Sequence, residues 1–429
     1  MKQADTLIQE IRSGAYDDKL ADIYGSTEIL TYQKERYISA ITRARETFPE
    51  LSGRGISVFS APGRAEIGGN HTDHQHGNVL CAAVDVDAIA VTAPSDDGAI
   101  RILSEGYPMM SITLDKLDKN PSEAGTTEAL IKGMLYAVRE AGYNIGGFSA
   151  YITSDVLSGS GLSSSAAFET LIGTILSGLF NDDAIDAVSI AKYGQFAEND
   201  FFGKPCGLMD QMACSVGSLT QIDFFDPKQP KIHRITFDLD AAGYALVITD
   251  TKGSHADLTD DYAAVPAEMK AAAACFGRAY LRDVDEDALL AGIPKIRETC
   301  GDRAALRALH FLRENHRAVS EADALSEGDF DRFLLDFRAS GDSSFKYLQN
   351  VYTNKDVAHQ NVSVGLAVSD LVLGNDGCAR VHGGGFAGTI QAFVKKEAVA
   401  RYQKAMEDLY GEGASTVMRI RKYGGTRVM

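Results

Sequence analysis

The chain has 429 residues, of which 45% are hydrophobic and 24% charged, a balance typical of a folded protein with more than one core. Asp and Glu number 59 against 42 Lys and Arg, and the resulting net charge of −17 disfavours general nucleic-acid binding. The six cysteines form no Cys-x-x-Cys pair, which predicts reduced thiols and a cytoplasmic protein, and no apolar run predicts a signal peptide or a membrane span.

Hydrophobic spacing predicts that the chain begins with helices and changes to strands after Gly53. Residues 31–48 carry apolar side chains at helical spacing, whereas the segment that follows has short β-rich runs separated by Gly, Pro and Asp. Further helices are predicted at 127–141, 163–179 and 267–281, with three more helical stretches reaching about residue 373, and strands are predicted at 244–251, 378–382 and 389–394.

Strands and helices that mix without strict β-α-β alternation predict an α+β fold of two lobes with mixed sheets. We predict an N-terminal helical extension at 1–50, an N-terminal lobe at 51–225 and a C-terminal lobe at 226–429.

A segment rich in Gly and Ser precedes the helix predicted at 163–179. Gly159 and Gly161 allow a tight turn, and the serines supply amides and hydroxyls at the start of the helix. A helix N-terminus directs unpaired N–H groups and the positive end of the helix dipole to one place, which suits a phosphate. An ordinary capped helix explains the same letters. The loop does not end in Gly-Lys-Ser/Thr, so a Walker-type ATPase is not predicted.

The segment SAPGRAEIGGNHTDHQHG crowds one arginine, one aspartate and three histidines together. Arg64 and Asp73 could bind a polyhydroxylated or phosphorylated ligand. Alternatively, His71, Asp73, His74 and His76 could hold the metal of a hydrolase, although no second compact cluster completes such a site. A polar surface hairpin is a third interpretation.

A carboxylate in apolar surroundings marks a third segment. Asp210 lies among Leu208, Met209 and Met212, and such surroundings require a cation or hydrogen-bond donors for the carboxylate. Asp210 could be a catalytic group or a helix N-cap.

The fourth segment is the loop GGGFAG, which matches G-x-G-x-x-G by letter. A strand follows this loop instead of a helix, so we predict a tight turn beside a cleft and no dinucleotide site.

Taken in this order, the four segments resemble those of the GHMP small-molecule kinases and, among these, the galactokinases. The galactokinase signature Gly-Arg-Val-Asn-Leu-Ile-Gly-Glu-His-Thr-Asp-Tyr is similar to GRAEIGGNHTDH, from Gly63 to His74. The family's phosphate loop, Gly-x-Gly-Leu-Ser-Ser-Ser-Ala, is similar to Gly159 through Ala166. The element Gly-Ile-Met-Asp-Gln is similar to GLMDQ, and GGGFAG matches the glycine-rich third motif.

The resemblance implies an ATP-dependent sugar 1-kinase that binds ATP and a small-molecule sugar in the cleft between the lobes. Asp210 would accept the proton of the anomeric hydroxyl or orient that hydroxyl. Arg64 would stabilise both that aspartate and the transferred phosphoryl group. The residues implied to contact the sugar are Asn70, His71, Asp73, Gly207 and Tyr262. Those implied to contact ATP are Gly159, Ser160, Gly161, Leu162, Ser163, Ser164, Ser165 and Ala166. Mg²⁺ would be held by Glu198 with Ser164 or Ser165.

The chain also departs from the family pattern. Asn70 stands where the family has the glutamate that usually contacts the sugar's 6-position, so the substrate is expected to be galactose or a relative altered at carbon 6, such as galacturonate. Leu157 replaces the usual proline of the phosphate loop, and the arginines that commonly follow Tyr262 are missing. A non-catalytic sugar and ATP sensor is disfavoured, because such sensors have lost the Ser-Ala that Ser165 and Ala166 provide here.

Overall fold

The computed structural model describes residues 1–156, 161–253 and 258–429. The α-helices found there are α1 (Ala4–Arg12), α2 (Asp17–Tyr24), α3 (Leu30–Thr47), α4 (Thr127–Glu140), α5 (Ser164–Phe180), α6 (Ala187–Phe196), α7 (Met209–Val216), α8 (Thr259–Ala274), α9 (Glu286–Ala291), α10 (Ile293–Cys300), α11 (Asp302–Glu327), α12 (Phe330–Ser343), α13 (Asn361–Leu373) and α14 (Val399–Tyr410). None of the helices in these ranges is both long and apolar enough to cross a bilayer.

The strands form two separate sheets. They are β1 (Ser57–Gly68), β2 (Asn78–Pro94), β3 (Ala99–Ser104), β4 (Met110–Thr113), β5 (Phe148–Ser154), β6 (Leu219–Asp223), β7 (Lys231–Ile235), β8 (Tyr244–Asp250), β9 (Gly377–Val381), β10 (Thr389–Lys395), β11 (Ser415–Met418) and β12 (Thr426–Arg427). The first sheet has the order β12-β1-β2-β5-β3-β4, with β6 paired to β2 and β7 paired to β6. The second has the order β11-β8-β10-β9.

Helices cover both faces of the first sheet. Along β1, alternate side chains enter opposite cores, because successive residues of a strand point to opposite faces. Phe59 packs with α4, α5 and α6, whereas its neighbour Val58 packs with α1, α2 and α3. Every residue of β1 is consequently buried. The N-terminal helices are therefore part of the fold of this lobe.

A buried cluster of charged residues joins the N-terminal helices to the first sheet, next to the phosphate loop. The Asp87 carboxylate lies 2.5 Å from Arg36 Nη1 and 2.7 Å from Arg421 Nη1, and it also accepts a hydrogen bond from the Tyr24 hydroxyl. Arg36 also lies 3.2 Å from Asp155, which directly follows β5 at the entrance to the phosphate loop. Pairing of this kind is what permits charges in a protein interior.

One hydrophobic core joins the two lobes. It contains Ala65 and Leu80 of the first sheet, Leu246 and Phe393 of the second, and Phe333 of α12. Because both sheets contribute to it, residues at the ends of β1 and β10 are held at fixed positions on either side of the cleft.

The α+β fold of two lobes predicted from the sequence is confirmed, with two differences in detail. Strands β7 and β12 pair within the first sheet, although the predicted boundary assigns residues 226–429 to the second lobe. Helix α8 begins at Thr259, before Pro266, whereas the predicted helix began after that proline because proline lacks the N–H that a helix interior uses. Tyr262 consequently lies in the first turn of α8.

Candidate active site

Arg64 and Asp210 form a bidentate ion pair at the centre of the cleft. Nε and Nη2 of Arg64 donate to the two Asp210 oxygens at 2.7 and 2.8 Å, and Nη1 donates to the Gly161 carbonyl at 2.6 Å. The register of β1 against β2 shifts between Pro62 and Arg64, and an irregularity of this kind re-aims the side chain that follows. Arg64 thus links the sugar-signature strand, the phosphate loop and helix α7.

The phosphate loop meets the same carboxylate from the other side. Ser163 adopts a left-handed conformation with φ of 57°, and its hydroxyl donates to Asp210 Oδ2. Helix α5 begins at the next residue, Ser164. Gly161 has no space for a side chain, because an added Cβ would lie 2.2 Å from Thr389 Oγ1. Of the predicted loop residues, Gly159 and Ser160 lie outside the described part of the chain, as does Leu157.

These contacts keep Asp210 ionised. Burial alone would raise the pKa of this carboxyl, but Arg64 and the Ser163 hydroxyl outweigh burial and bring the pKa below its ordinary value. The cap position of α7 belongs to Leu208, so Asp210 lies within the first helical turn and is not the N-cap. Its side chain is 34% exposed and can accept a proton from a ligand in the cleft.

Asp73 and Gly207 lie against each other on the adjoining wall. A Cβ added to Gly207 would lie 1.7 Å from Asp73 Oδ2, so the carboxylate occupies the space that any other residue's side chain would need. The backbone N–H of His74 donates to Asp73 Oδ1 at 2.9 Å and orients it. Two predicted sugar-contact residues, more than a hundred positions apart in the sequence, are therefore adjacent in the structure.

Gly207→Ala is expected to raise the KM for the sugar at least about tenfold, because the Asp73 carboxylate must move away from its present position. The KM for ATP should change by less than about twofold. Steady-state kinetics with each substrate varied in turn measures both values. Gly53→Ala is a suitable control, since a Cβ there meets nothing within 4 Å. An unchanged KM for the sugar would remove Gly207 and Asp73 from the sugar site.

Glu198 lies in a π-helical turn, Ala197–Phe202, that follows α6. Its Oε2 accepts a hydrogen bond from Gln211 Nε2 at 2.9 Å, and the same nitrogen donates to Glu169 Oε2 at 3.1 Å. Glu169 is buried beside Glu198, and the pKa of Glu169 lies well above its ordinary value, through burial first and the neighbouring carboxylate second. Its Oε1 has no hydrogen-bond partner within the described residues.

This set of oxygens fits a magnesium ion. Glu169 lies four residues after Ser165 on α5, and side chains at that spacing share one face of a helix. Gln211 connects Glu169 to Glu198, so the two carboxylates and the serine hydroxyls at the start of α5 belong to one neighbourhood. Carboxylate and hydroxyl oxygens are the hard ligands that Mg²⁺ prefers.

His71 and Tyr262 contact the glycine-rich loop between β9 and β10. His71 Nε2 lies 3.0 Å from the Gly384 carbonyl and therefore carries the proton, which leaves Nδ1 as an acceptor without a partner in the described part of the chain. Burial lowers the pKa of His71 to about 3, so the ring is neutral. The Tyr262 hydroxyl donates to the Gly385 carbonyl at 2.7 Å. The GGGFAG turn thus borders the cleft.

Asn70 differs from the other predicted sugar contacts because its amide is already satisfied within the protein. Its Nδ2 donates to Glu66 Oε1 at 2.7 Å and to the Gly383 carbonyl at 2.8 Å. Its Oδ1 accepts from Ser344 at 3.1 Å and from Asn350 at 2.8 Å. The residue is 0% exposed. In this structure Asn70 joins the two lobes and offers no free position to a sugar.

Sequence reasoning missed the polar network around Asn70. Arg380 of β9 is fully buried, and its Nη2 lies 2.6 Å from Glu66 Oε1. His310 of α11 contacts the Asn70 carbonyl at 2.9 Å through Nε2, and Glu314 accepts the Asn70 N–H. Arg380 stands in a run of strand-forming residues, and no local signal in the sequence distinguishes it from an ordinary exposed arginine.

Glu66 gives the network a pH dependence that can be measured. Burial raises the pKa of Glu66 to about 7 despite the opposing effect of Arg380, so the folded state binds this proton more tightly than the unfolded state. The resulting stabilisation is complete below the ordinary carboxyl pKa and disappears as the pH rises through about 7. Between pH 5 and 8 the Tm of the wild type should therefore fall by about 2–4 °C relative to Glu66→Gln. Parallel Tm curves for the two proteins would contradict this assignment.

The alternative prediction, a hydrolase whose metal is held by His71, Asp73, His74 and His76, gains no support. Within the described ranges, no group of three or more His, Cys, Asp or Glu side chains could hold a metal ion. His76 instead stacks on Tyr280 with ring centroids 3.7 Å apart, while His71 is bound to the Gly384 carbonyl.

Comparisons with known proteins give the family of this chain. The family described as GHMP kinases N terminal domain matches residues 129–218, and the galactokinase galactose-binding signature matches residues 46–94. The galactokinase of Streptomyces coelicolor is 31% identical over 384 residues, which cover 87% of this chain and 94% of that protein. The galactokinase of Mycobacterium tuberculosis is 33% identical over 338 residues, which cover 78% of this chain and 88% of that protein.

Solved structures give the same result. The crystal structure of Lactococcus lactis galactokinase complexed with galactose superposes with a TM-score of 0.76 at 25% identity, over 90% of this chain and 99% of that one. A mevalonate kinase superposes with a TM-score of 0.58 at 14% identity, over 85% of this chain and 99% of that one, and shares the fold.

The fold and the cleft define a small-molecule kinase of the GHMP class, a phosphotransferase that uses ATP. Within that class, the chain belongs to the galactokinase family, as the sequence motifs predicted.

Proposed function

We propose that this protein transfers the γ-phosphoryl group of ATP to the anomeric hydroxyl of galactose in a reaction that requires Mg²⁺. The observation that carries the proposal is the position of Arg64, which holds the Asp210 carboxylate with one edge of its guanidinium and the phosphate-loop carbonyl of Gly161 with the other nitrogen. An acceptor for a hydroxyl proton and a phosphate-binding loop are thereby fixed at one point of the cleft.

The proposed transfer accounts for the bond formed, the bond broken and the proton released. The anomeric oxygen forms a bond to the γ-phosphorus as the bond from that phosphorus to the bridging oxygen of ADP breaks, and the hydroxyl proton passes to Asp210. The guanidinium of Arg64 keeps Asp210 ionised before transfer and offers positive charge to the phosphoryl oxygens. Asp73, His71 and Tyr262 would orient the sugar ring in the same cleft.

The residues that would hold Mg²⁺ are Glu198 and a hydroxyl from Ser164 or Ser165. Bound there, the ion would neutralise charge on the phosphate oxygens of ATP. Gln211 fixes the orientation of Glu198 by donating to its Oε2 at 2.9 Å, and Glu169 shares that donor. The free thiols of the six cysteines support a location in the reducing cytoplasm.

Release of ADP that depends on added galactose tests this function. We expect ADP and galactose 1-phosphate to appear in equal amounts, with no reaction when EDTA removes Mg²⁺. Binding of both ligands without turnover would identify a sensor instead of an enzyme. A phosphate found on any oxygen other than the anomeric one, by ³¹P NMR of the product, would contradict the proposed role of Asp210.

A second candidate is a kinase for hexoses modified at carbon 6, such as galacturonate. It is favoured by one observation, the exchange of two residue types within the signature. The family pattern has asparagine where this chain has Glu66, and glutamate where it has Asn70. The carboxylate is thus displaced to a position where Arg380 binds it at 2.6 Å, and the position that in the family contacts the sugar's 6-substituent carries a neutral amide bonded within the protein in place of a negative charge.

The double variant Glu66→Asn with Asn70→Glu restores the family order and tests this candidate. If the exchange admits 6-modified sugars, the ratio of kcat/KM for galacturonate to that for galactose should fall at least about tenfold in the double variant. A ratio that is the same in both proteins would exclude a specificity role for the exchange. The two single variants serve as controls. Glu66→Asn leaves asparagine at both positions, and Asn70→Glu leaves glutamate at both.

A further inference from the structure

Lys204 lies in a turn whose backbone is fixed on the candidate metal ligand. Gly203, with φ of 85°, ends the π-helical turn, and the backbone N–H groups of Gly203 and Lys204 both donate to the Glu198 carbonyl, at 2.9 and 3.0 Å. The position of the Lys204 backbone is therefore set by the same residue whose carboxylate its side chain meets.

The Lys204 ammonium meets the buried Glu198 carboxylate from the solvent side. Its Nζ lies 3.2 Å from Glu198 Oε1, and the lysine side chain is 64% exposed whereas that of Glu198 is 5% exposed. The other carboxylate oxygen of Glu198 is held by Gln211 at 2.9 Å. The ammonium is thus the mobile member of this group and the glutamate the fixed one, because a long exposed stem reorients at little cost.

Lys204 acts on more than one carboxylate. Its charge contributes to lowering the pKa of Asp210 and opposes the raised pKa of Glu169, so the ammonium lies within electrostatic reach of both. Arg64, the other cation on Asp210, directs three of its N–H groups to Asp210 and to a carbonyl. Lys204 holds its charge on a side chain free to turn toward an arriving phosphate.

If the proposed function holds, the transferred group passes between the candidate metal ligand Glu198 and the candidate proton acceptor Asp210. In the proposed reaction the phosphate oxygens lie near the carboxylate that would hold the metal, and the acceptor hydroxyl lies at Asp210. We propose that Lys204 is a catalytic residue that contacts the γ-phosphoryl group of ATP during transfer. This role rests on the proposed function and adds a second protein cation to Arg64.

With its carboxylate holding Mg²⁺, Glu198 would no longer pair with the Lys204 ammonium. Lys204 would then be released toward the phosphoryl oxygens, whose negative charge attracts it. In the free protein the same lysine neutralises Glu198, so the buried acids are not left without a cation.

Lys204→Met removes the charge and preserves most of the stem. We expect kcat to fall by about tenfold to a hundredfold, with Lys204→Arg retaining most of the activity. We also expect the ratio of the Kd for ADP to the Kd for AMP-PNP, both measured by calorimetry with Mg²⁺, to fall at least about fivefold, because only AMP-PNP has a γ-phosphate. Lys192→Met is the matched control, since Lys192 lies on α6 and its ammonium contacts the Lys228 carbonyl in the turn between β6 and β7.

An unchanged ratio of the two dissociation constants in Lys204→Met would overturn the proposal, even if Tm fell, because the lysine would then be only a counter-ion of Glu198. A kcat within about twofold of the wild-type value would do so as well. If the wild type turned over no sugar but the ratio still fell, the proposed function would fail while the phosphate contact stood. Absence of nucleotide binding to the wild type would overturn both.

Discussion

Asp210→Asn is expected to lower kcat for sugar phosphorylation by about a thousandfold or more, with little change in nucleotide affinity. Asparagine has the shape of aspartate but cannot accept the hydroxyl proton. It also presents a neutral partner to Arg64, whose bidentate contacts at 2.7 and 2.8 Å depend on the carboxylate. Single-turnover measurement of sugar phosphate at saturating ATP isolates this step from product release.

Asp200→Asn provides the control for this variant. Asp200 lies in the π-helical turn close to Glu198 in the sequence but is exposed to solvent, so its replacement changes the net charge of the protein by the same amount. Near-normal kcat is expected for Asp200→Asn. If Asp210→Asn retained more than about a tenth of the wild-type kcat, Asp210 could not be the proton acceptor.

Arg64→Lys is expected to lower kcat/KM by about a hundredfold or more, because an ammonium cannot reproduce the planar fork that binds Asp210 and Gly161 together. A lysine can satisfy one of these partners at a time. The ion pair connects β1, the phosphate loop and α7, so both the carboxylate and the loop should lose their fixed positions.

Arg64→Met adds a change in pH dependence whose direction follows from the causes of the pKa shift. Burial raises the pKa of Asp210, and Arg64 is the largest cause that lowers it. Without Arg64 the pKa of Asp210 should rise, and the acid limb of the kcat/KM profile should move to higher pH. An acid limb at the same pH in Arg64→Met and in the wild type would show that this limb does not report Asp210.

The chemistry of the site could be predicted from short motifs because each of its charged groups needs a particular partner. Asp210 stood among apolar residues and required a cation, and Arg64 stood in a glycine-rich segment that the family resemblance assigned to the same site. The structure brings these two together. The β-rich run that forms β1 and the helical spacing in α3 and α5 were likewise local signals, which sequence patterns preserve.

Other features depend on contacts between distant parts of the chain. Asn70 was predicted to bind the sugar from its place in the motif, but Ser344 and Asn350, which occupy its amide oxygen, come from the other lobe. Lys204 reads in the sequence as an exposed surface charge, and only its distance to Glu198 gives it a role. Strand β12 pairs with β1, the first strand of the chain. Because β12 has only two residues, no sequence pattern predicts it or its partner.

A crystal structure of the protein with AMP-PNP, Mg²⁺ and galactose tests the central claim most directly, namely that Asp210, Arg64 and the phosphate loop act on one sugar and one nucleotide. We expect the anomeric oxygen within about 3.2 Å of an Asp210 oxygen and the γ-phosphate between that oxygen and the start of α5. A sugar bound away from Asp210, or a γ-phosphate directed away from Arg64, would contradict the claim.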